Sequence, residues 1–302
     1  MPEAVAPSAS PRNGPAAWAS VLWRVLRYAA RDAVLAPVLG VLVLVAMVAV
    51  LGPVLWRLDP LAVDLASALQ PPSGSHPMGT DGNGRDVLSR YIHGSRISLA
   101  VGMVVVVAGL VVGGAIGLVA GISHRLIDSA LMRVIDALAA FPPLILAMAI
   151  TVGLGVGLET AVLGVTLSTV PYYARLIRSD VIRIRAQPSV EAAVALGASR
   201  SRVVFRHIVP HTTSTMLIQS AAVFGYAILT LAALGFVGLG LQVPEAEWGA
   251  MITDGLQYAL TGEWWIAVFP GLGVLITVVA ANMLADRARD ILDPRGPQAS
   301  VS

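Results

Sequence analysis

Side chains equipped for chemistry are few in this sequence, and they do not converge. The five histidines are His76, His93, His124, His207 and His211. Only His207 and His211 stand at a spacing that one helix face could use for a metal, and Pro210 between them is expected to break that helix. No His-Glu-x-x-His run offers a zinc hydrolase site, and no Gly-x-Ser-x-Gly elbow offers a serine nucleophile. The chain has no Cys, which removes disulfides, thiolate metal sites and cysteine nucleophiles. All 20 basic residues are Arg, so the phosphate-reaching lysine of a P-loop and Schiff-base chemistry are both missing. The acidic residues Asp59, Asp64, Asp81, Asp86, Glu245, Glu247, Asp254 and Glu263 are mixed with arginines, a pattern read most simply as a solvated face. A membrane hydrolase therefore has weak support.

The elements around these residues explain the shortage. Of 302 residues, 56% are hydrophobic and 13% charged, where soluble domains carry about 25% charged residues; the mean hydropathy is +0.78. A bilayer core takes roughly 20 apolar residues in helical form, and six charge-poor runs approach or exceed that length: Leu35–Trp56, Ile97–Ile122, Ala137–Leu158, Thr160–Ala174, Thr212–Pro244 and Trp264–Ala285. With the N-terminus inside, sixteen arginines fall on inner segments, while only Arg57, Arg85, Arg90 and Arg96 fall on an outer one. The positive-inside rule then places both termini in the cytoplasm. The expectation is an all-α polytopic membrane protein with six transmembrane helices. Residues 1–33 form a cytoplasmic tail, mostly disordered, 34–56 the first span, 57–96 an extracytoplasmic loop, 97–285 the remaining spans and 286–302 a cytoplasmic tail. The first apolar run is too long for a cleaved signal and should stay as an anchor.

The spans hold no Asp, Glu, Arg or His in their cores. Ion-coupled carriers and charge-selective channels place such groups at membrane depth, so neither a carrier nor a stand-alone channel is favoured. The second span carries Gly109, Gly113, Gly117 and Gly121 at spacing four, a stripe that lets a neighbouring helix approach closely. Packing within the chain is the plainest reading, with a subunit seam or moving contact as the alternative. The fifth run is longer than one crossing needs. Gly235, Gly238 and Gly240 lie where it could break, leaving Leu241–Gly262 as an outer hairpin.

The longest inner loop, 181–211, is more telling. Pro188–Leu196 reads as a short helix with proline in its first turn, Glu191 near the positive end of its dipole and Gly197 as its stop. A second short helix is expected from Ser199, ending by Pro210. Two short helices with Ala192, Ala193 and Ala195 on the first make a compact knob that could dock in a partner's cleft; a solvated connector is the alternative.

Glu191-Ala192-Ala193, then Leu196-Gly197 and Pro210, resembles the EAA loop of ABC-importer permeases, with His207 and Val209 standing where that loop usually has isoleucine and leucine. The run His76-Pro77-Met78-Gly79-Thr80-Asp81-Gly82-Asn83-Gly84-Arg85-Asp86 resembles the segment before the second span in C-type permease subunits of dipeptide/oligopeptide importers. So do Gly235–Gly240, Glu247-Trp248-Gly249, Phe269-Pro270-Gly271 and the tail ending Leu292-Asp293-Pro294-Arg295.

The resemblance implies a type I ABC importer permease fold in the bacterial plasma (inner) membrane, without catalysis in this chain. It implies a homologous second permease, two cytoplasmic ATPase domains on one or two chains that hold ATP and Mg, and an extracytoplasmic binding protein that delivers di- or oligopeptides. It also implies an ATPase-coupling role for Glu191, Ala192, Ala193, Leu196, Gly197 and Pro210. For Asp81, Arg85, Asp86, Arg90, Glu247 and Trp248 two roles are open, a local charge network or contact with the binding protein at an outer gate. Glutathione and nickel are alternative substrates. No metal site and no nucleic-acid partner is expected.

Overall fold

A computed structural model describes residues 32–240 and 244–292. Most of the two tails expected at residues 1–33 and 286–302 therefore lies outside the described residues, as do Leu241–Val243 and Asp293-Pro294-Arg295.

The described residues fold into helices in the order α1 Leu35–Leu55, α2 Val87–Ile122, α3 Arg125–Ala139, α4 Pro143–Leu154, α5 Leu158–Arg185, α6 Pro188–Ala195, α7 Arg200–Val203, α8 Val209–Phe236, α9 Trp248–Ala259 and α10 Trp265–Leu292. No strand forms among them, apart from one isolated antiparallel bridge between Thr80 and Asp86.

Composition decides what these helices face. Along α1, Val43, Leu44, Met47, Val50, Leu51, Val54 and Leu55 are exposed, as are Val104, Val107, Val111 and Val112 on α2 and Leu272, Leu275, Ile276 and Val279 on α10. Water does not tolerate an apolar belt of that extent; hydrocarbon does. Four helical segments are each long and apolar enough to cross a bilayer: Leu35–Leu55, Val87–Ile122, Thr215–Phe236 and Trp265–Asp290.

The middle of the chain departs from the six expected spans. The run Ala137–Leu158 is not one helix, because α3 and α4 meet at 86° where Phe141-Pro142-Pro143 interrupts the backbone hydrogen bonds. The 12 residues of α4 rise about 18 Å, well short of a core about 30 Å thick. Counted as one bent segment, α3 and α4 bring the total to five. The expected fourth span is the apolar half of α5, whose 28 residues continue into Arg175, Arg178, Asp180, Arg183 and Arg185. At the other extreme, α2 is longer than expected. Its 36 residues take in the end of the expected outer loop, from Val87, together with the span that follows, and Asp86 caps it by accepting the Ser89 N–H at 2.7 Å.

The core follows from small residues at crossings. Gly109, Gly113, Gly117 and Gly121 all lie against α5. A Cβ at position 113 would stand 2.7 Å from the Val170 carbonyl oxygen, one at 117 would meet the Ala174 carbonyl, and one at 121 would stand 2.7 Å from Val181 Cβ. The glycine stripe is thus the seat of an intrachain crossing. Around it, Val105, Ala147, Ala161, Val165, Ala227, Leu231 and Leu234 join α2, α4, α5 and α8. Val87, Ile228, Ala232, Trp248, Met251, Trp265 and Val274 close the end that carries α9.

The overlong fifth run breaks where the glycines stand. Helix α8 ends at Phe236, Gly238 takes a left-handed φ of +79°, and α9 folds back against α8 and α10. Ala232 and Gly249 touch so closely that a Cβ on Gly249 would stand 2.8 Å from Ala232 Cα.

Candidate functional site

At one end of the bundle α6 and α7 form a knob. Pro188 occupies the first turn of α6, where its missing N–H costs nothing, and Glu191 lies near the positive end of the helix dipole. The stop is a Schellman motif: Gly197 at φ +83° donates to the Val194 carbonyl at 2.9 Å, and Ala198 to the Ala193 carbonyl at 3.0 Å. Beneath the knob, Val190, Val203 and Ile208 are buried against Ile177, Val181 and Ile184 of α5. Displacement of the knob would therefore be felt along α5, which in turn is clamped to α2 by Arg185, whose Nη1 donates to the Gly121 carbonyl at 2.7 Å.

The face turned away from the bundle is open. Glu191 and Ala192 are exposed, Ala193 is half-buried and Leu196 is 89% exposed. Two exposed apolar side chains were not singled out from sequence, Val194 and, at 73% exposure, Phe205. The signal for Phe205 was its position among Arg200, Arg202 and Arg206, an aromatic with no core-facing period. An apolar tip with a basic rim suits docking into a groove.

Pro210 lies in the first turn of α8 and is exposed. The expected helix stop before it is corrected: a π turn, Val204–Ile208, carries the helix through, with the Val209 N–H bonded to the Val204 carbonyl five residues back. The widened turn gives the Pro210 ring room that a regular turn denies it. His207 and His211 are therefore not split by a break. His211 Nδ1 lies 2.6 Å from the His207 carbonyl oxygen, and among the described residues no group of three or more His, Cys, Asp or Glu is placed to hold a metal.

At the opposite end, six other candidates sit inside the fold. Asp81, Arg85, Asp86, Arg90, Glu247 and Trp248 are each no more than 6% exposed. The Asp-Gly-Asn-Gly turn folds Asp81 back so that Oδ1 accepts the N–H groups of Asn83 and Arg85 at 2.9 and 3.0 Å. Its Oδ2 takes Arg85 Nε at 2.6 Å and lies 3.5 Å from Arg90 Nε. Arg85 then reaches Asp254 on α9 at 3.0 Å, and Arg90 donates to the Pro244 carbonyl at 2.9 Å. Asp86 caps α2 and pairs with His76 Nδ1 at 2.8 Å. Glu247 caps α9, accepting the Ala250 N–H at 3.0 Å and the Ser98 hydroxyl at 2.9 Å. The indole N–H of Trp248 donates to the Tyr91 carbonyl at 3.2 Å.

These groups spend their hydrogen bonds within the chain, which fits the local charge network of the two roles left open. Together they lock the segment before α2 to the α9 hairpin. The solvated-face reading of Asp81, Asp86 and Glu247 fails for the same reason. Asp254 and Ser98 are the members that sequence reasoning missed; their partners lie 169 and 149 residues away. Burial pushes the Asp254 carboxyl above its ordinary range and the neighbouring Asp81 adds to that, while Arg85 and Arg90 oppose it.

Comparison with known proteins places this geometry. Residues 113–296 match the family model described as binding-protein-dependent transport system inner membrane component. The chain is 39% identical to the dipeptide transport system permease protein DppC of Alkalihalophilus pseudofirmus, over 82% of each chain. It is 38% identical to the glutathione transport system permease protein GsiD of Pectobacterium atrosepticum, over 74% of each. Among solved structures it resembles an inward-facing MetNI methionine ABC transporter at a TM-score of 0.54 and 19% identity, covering 67% of this chain and 95% of that one.

Proposed function

The chain belongs to the family of inner membrane components of binding-protein-dependent transport systems, and from that premise we propose that it is the permease subunit through which an ATP-driven importer takes up di- and oligopeptides. It is a multi-pass protein of the bacterial inner membrane and a transport component. On this reading it crosses six times, with the apolar half of α5 completing the count and both termini in the cytoplasm. A homologous second permease encloses the pathway with it. Two ATPase domains, on one chain or two, bind ATP and Mg, and an extracytoplasmic binding protein presents the peptide.

The observation that carries the proposal is the α6 knob, exposed at Leu196 and Glu191 yet rooted through Val190 in α5. A rigid body held this way transmits displacement. When the ATPase domains close they draw the knobs of the two permeases together, α5 follows, and α2 follows α5 across the glycine stripe. The pathway then opens outward, and hydrolysis resets it. This is alternating access in which the energy difference between the two states is supplied by the partner.

The peptide assignment comes from the relatives' substrates. Glutathione is itself a tripeptide and belongs to the same substrate class, whereas nickel would need a ligand cluster that the described residues do not form. The experiment is a mild-detergent pulldown of the tagged chain from its native membrane, followed by uptake of labelled dipeptide in a strain lacking the chain. Recovery of a second permease and an ATPase, with uptake restored by the chain, is the expected result. Recovery of the chain alone, under conditions that keep other membrane complexes intact, would refute it.

A further inference from the structure

A set of polar side chains crosses four helices on one side of this chain, toward the end that the arginine count assigns to the cytoplasm. Tyr172 of α5 is 44% exposed, and its hydroxyl donates to Gln219 Oε1 of α8 at 2.6 Å. The same oxygen accepts from Arg289 Nη2 of α10 at 3.0 Å. One turn along α5 from Tyr172, Arg175 donates to Asp136 Oδ1 of α3 at 2.8 Å, and both side chains of that pair are more than half exposed. These five residues form a continuous polar arc, Arg289–Gln219–Tyr172–Arg175–Asp136.

The arc borders a cavity. At the 86° corner between α3 and α4 lies about 520 Å³ of space, lined by Tyr172, Arg175, Ser168 and Ser179 as its polar groups and by Phe141 and Leu146 among its apolar walls. A concave, mostly apolar space of some hundreds of Å³ with a few polar groups at fixed positions is the form of a small-molecule site.

We infer that this cavity and its polar arc are a transit site for the zwitterionic backbone of the imported peptide. This rests on the peptide-import reading above and adds to it where the cargo touches the chain. The charge balance selects the ligand. Arg175 is already paired with Asp136, and Arg289 has Asp286 at 3.9 Å, so the arc is charge-balanced, with an anion beside each cation, rather than a cationic patch. A neutral ligand with separated carboxylate and ammonium groups matches that pattern, its carboxylate at Arg175 and Tyr172 and its ammonium at Asp136; an anionic lipid headgroup does not. Because these pairs are solvent-accessible, exchanging an internal partner for a ligand group costs little, as transit rather than tight binding requires.

The test uses the complete importer, with its partner permease, ATPase and binding protein, in phosphatidylcholine proteoliposomes, with labelled alanyl-alanine as the probe. Uptake is read against ATP hydrolysis stimulated by the binding protein. Tyr172→Phe and Arg175→Gln are expected to lower the peptide imported per ATP by about tenfold, the value of one hydrogen bond to a charged group, with stimulated hydrolysis unchanged. The charge-swapped double variant Arg175→Asp with Asp136→Arg should remain low, although it can re-form the ion pair. Wild-type uptake by the double variant would make the pair a structural brace and overturn the assignment, as would unchanged stoichiometry in both single variants. A defect that appears only when anionic phosphatidylglycerol is added would assign the arc to lipid and overturn it too. A wild-type complex that hydrolyses ATP but imports no peptide would instead overturn the reading on which this one rests.

Discussion

Leu196→Ala isolates docking from folding. In the free chain the Leu196 side chain is 89% exposed, so shortening it removes no internal packing, and the Schellman stop at Gly197 depends on backbone atoms that the change leaves alone. The stability of the free subunit should therefore stay within about 0.5 kcal/mol of wild type, the range of ordinary surface substitutions. In the assembled importer the same side chain is proposed to enter a groove of the ATPase. Removing three buried carbons at about 0.8 kcal/mol each comes to roughly 2 kcal/mol. That is about a 30-fold loss of affinity, at 1.4 kcal/mol per tenfold. The assay is titration of the detergent-solubilised permease pair with purified ATPase, alongside thermal unfolding of the permease alone. Unchanged affinity would refute the docking face. Equal losses of affinity and of subunit stability would show that Leu196 supports the fold rather than the contact.

Three further outcomes follow from the geometry. Arg85→Met leaves buried Asp81 and partly buried Asp254 without their shared cation and should cost about 3–5 kcal/mol, read as a large fall in the unfolding midpoint; Arg85→Lys should recover only part of it, since one ammonium cannot reproduce the Nε and Nη2 contacts. Asp254 has a raised folded-state pKa, so the folded state holds its proton more tightly and this group's stabilising contribution is lost as pH rises from its ordinary value toward the raised one. Unfolding midpoints measured from the acid side toward neutrality should accordingly decline more in wild type than in Asp254→Asn, and parallel curves would refute the role of burial. Gly117→Val forces a branched side chain against the Ala174 carbonyl, and overpacking of this kind should cost about 1–3 kcal/mol, checked by thermal unfolding and by recovery of the assembled complex.

How far each feature could be read depended on the range of the interactions behind it. The α6 knob was legible because its determinants are local: Pro188 starts the helix, Gly197 stops it and Glu191 suits its first turn. The break after α8 was legible for the same reason, in Gly235, Gly238 and Gly240. Local reasoning went too far at Pro210, where a π turn admits the proline without ending the helix. It also went too far at Ala137–Leu158, where hydropathy measured a span across a corner that Pro142 and Pro143 impose. For Asp81, Arg85 and Glu247, sequence shows charge on a loop and nothing of the partner that buries it.

The sequence by itself determined that the chain is apolar enough to live in a bilayer and where its knob lies, and its arginines gave the expected orientation. Those properties depend on composition and on contacts a few residues long. The tertiary structure alone decided that the outer charges form a buried lock, through Arg85 to Asp254 and Ser98 to Glu247. It alone decided that the glycine stripe seats α5, and that Tyr172, Gln219, Arg289, Arg175 and Asp136 share one exposed face. Each of these joins residues tens to more than a hundred positions apart, and no pattern along the chain records which distant side chain will neutralise a charge or fill the space beside a glycine.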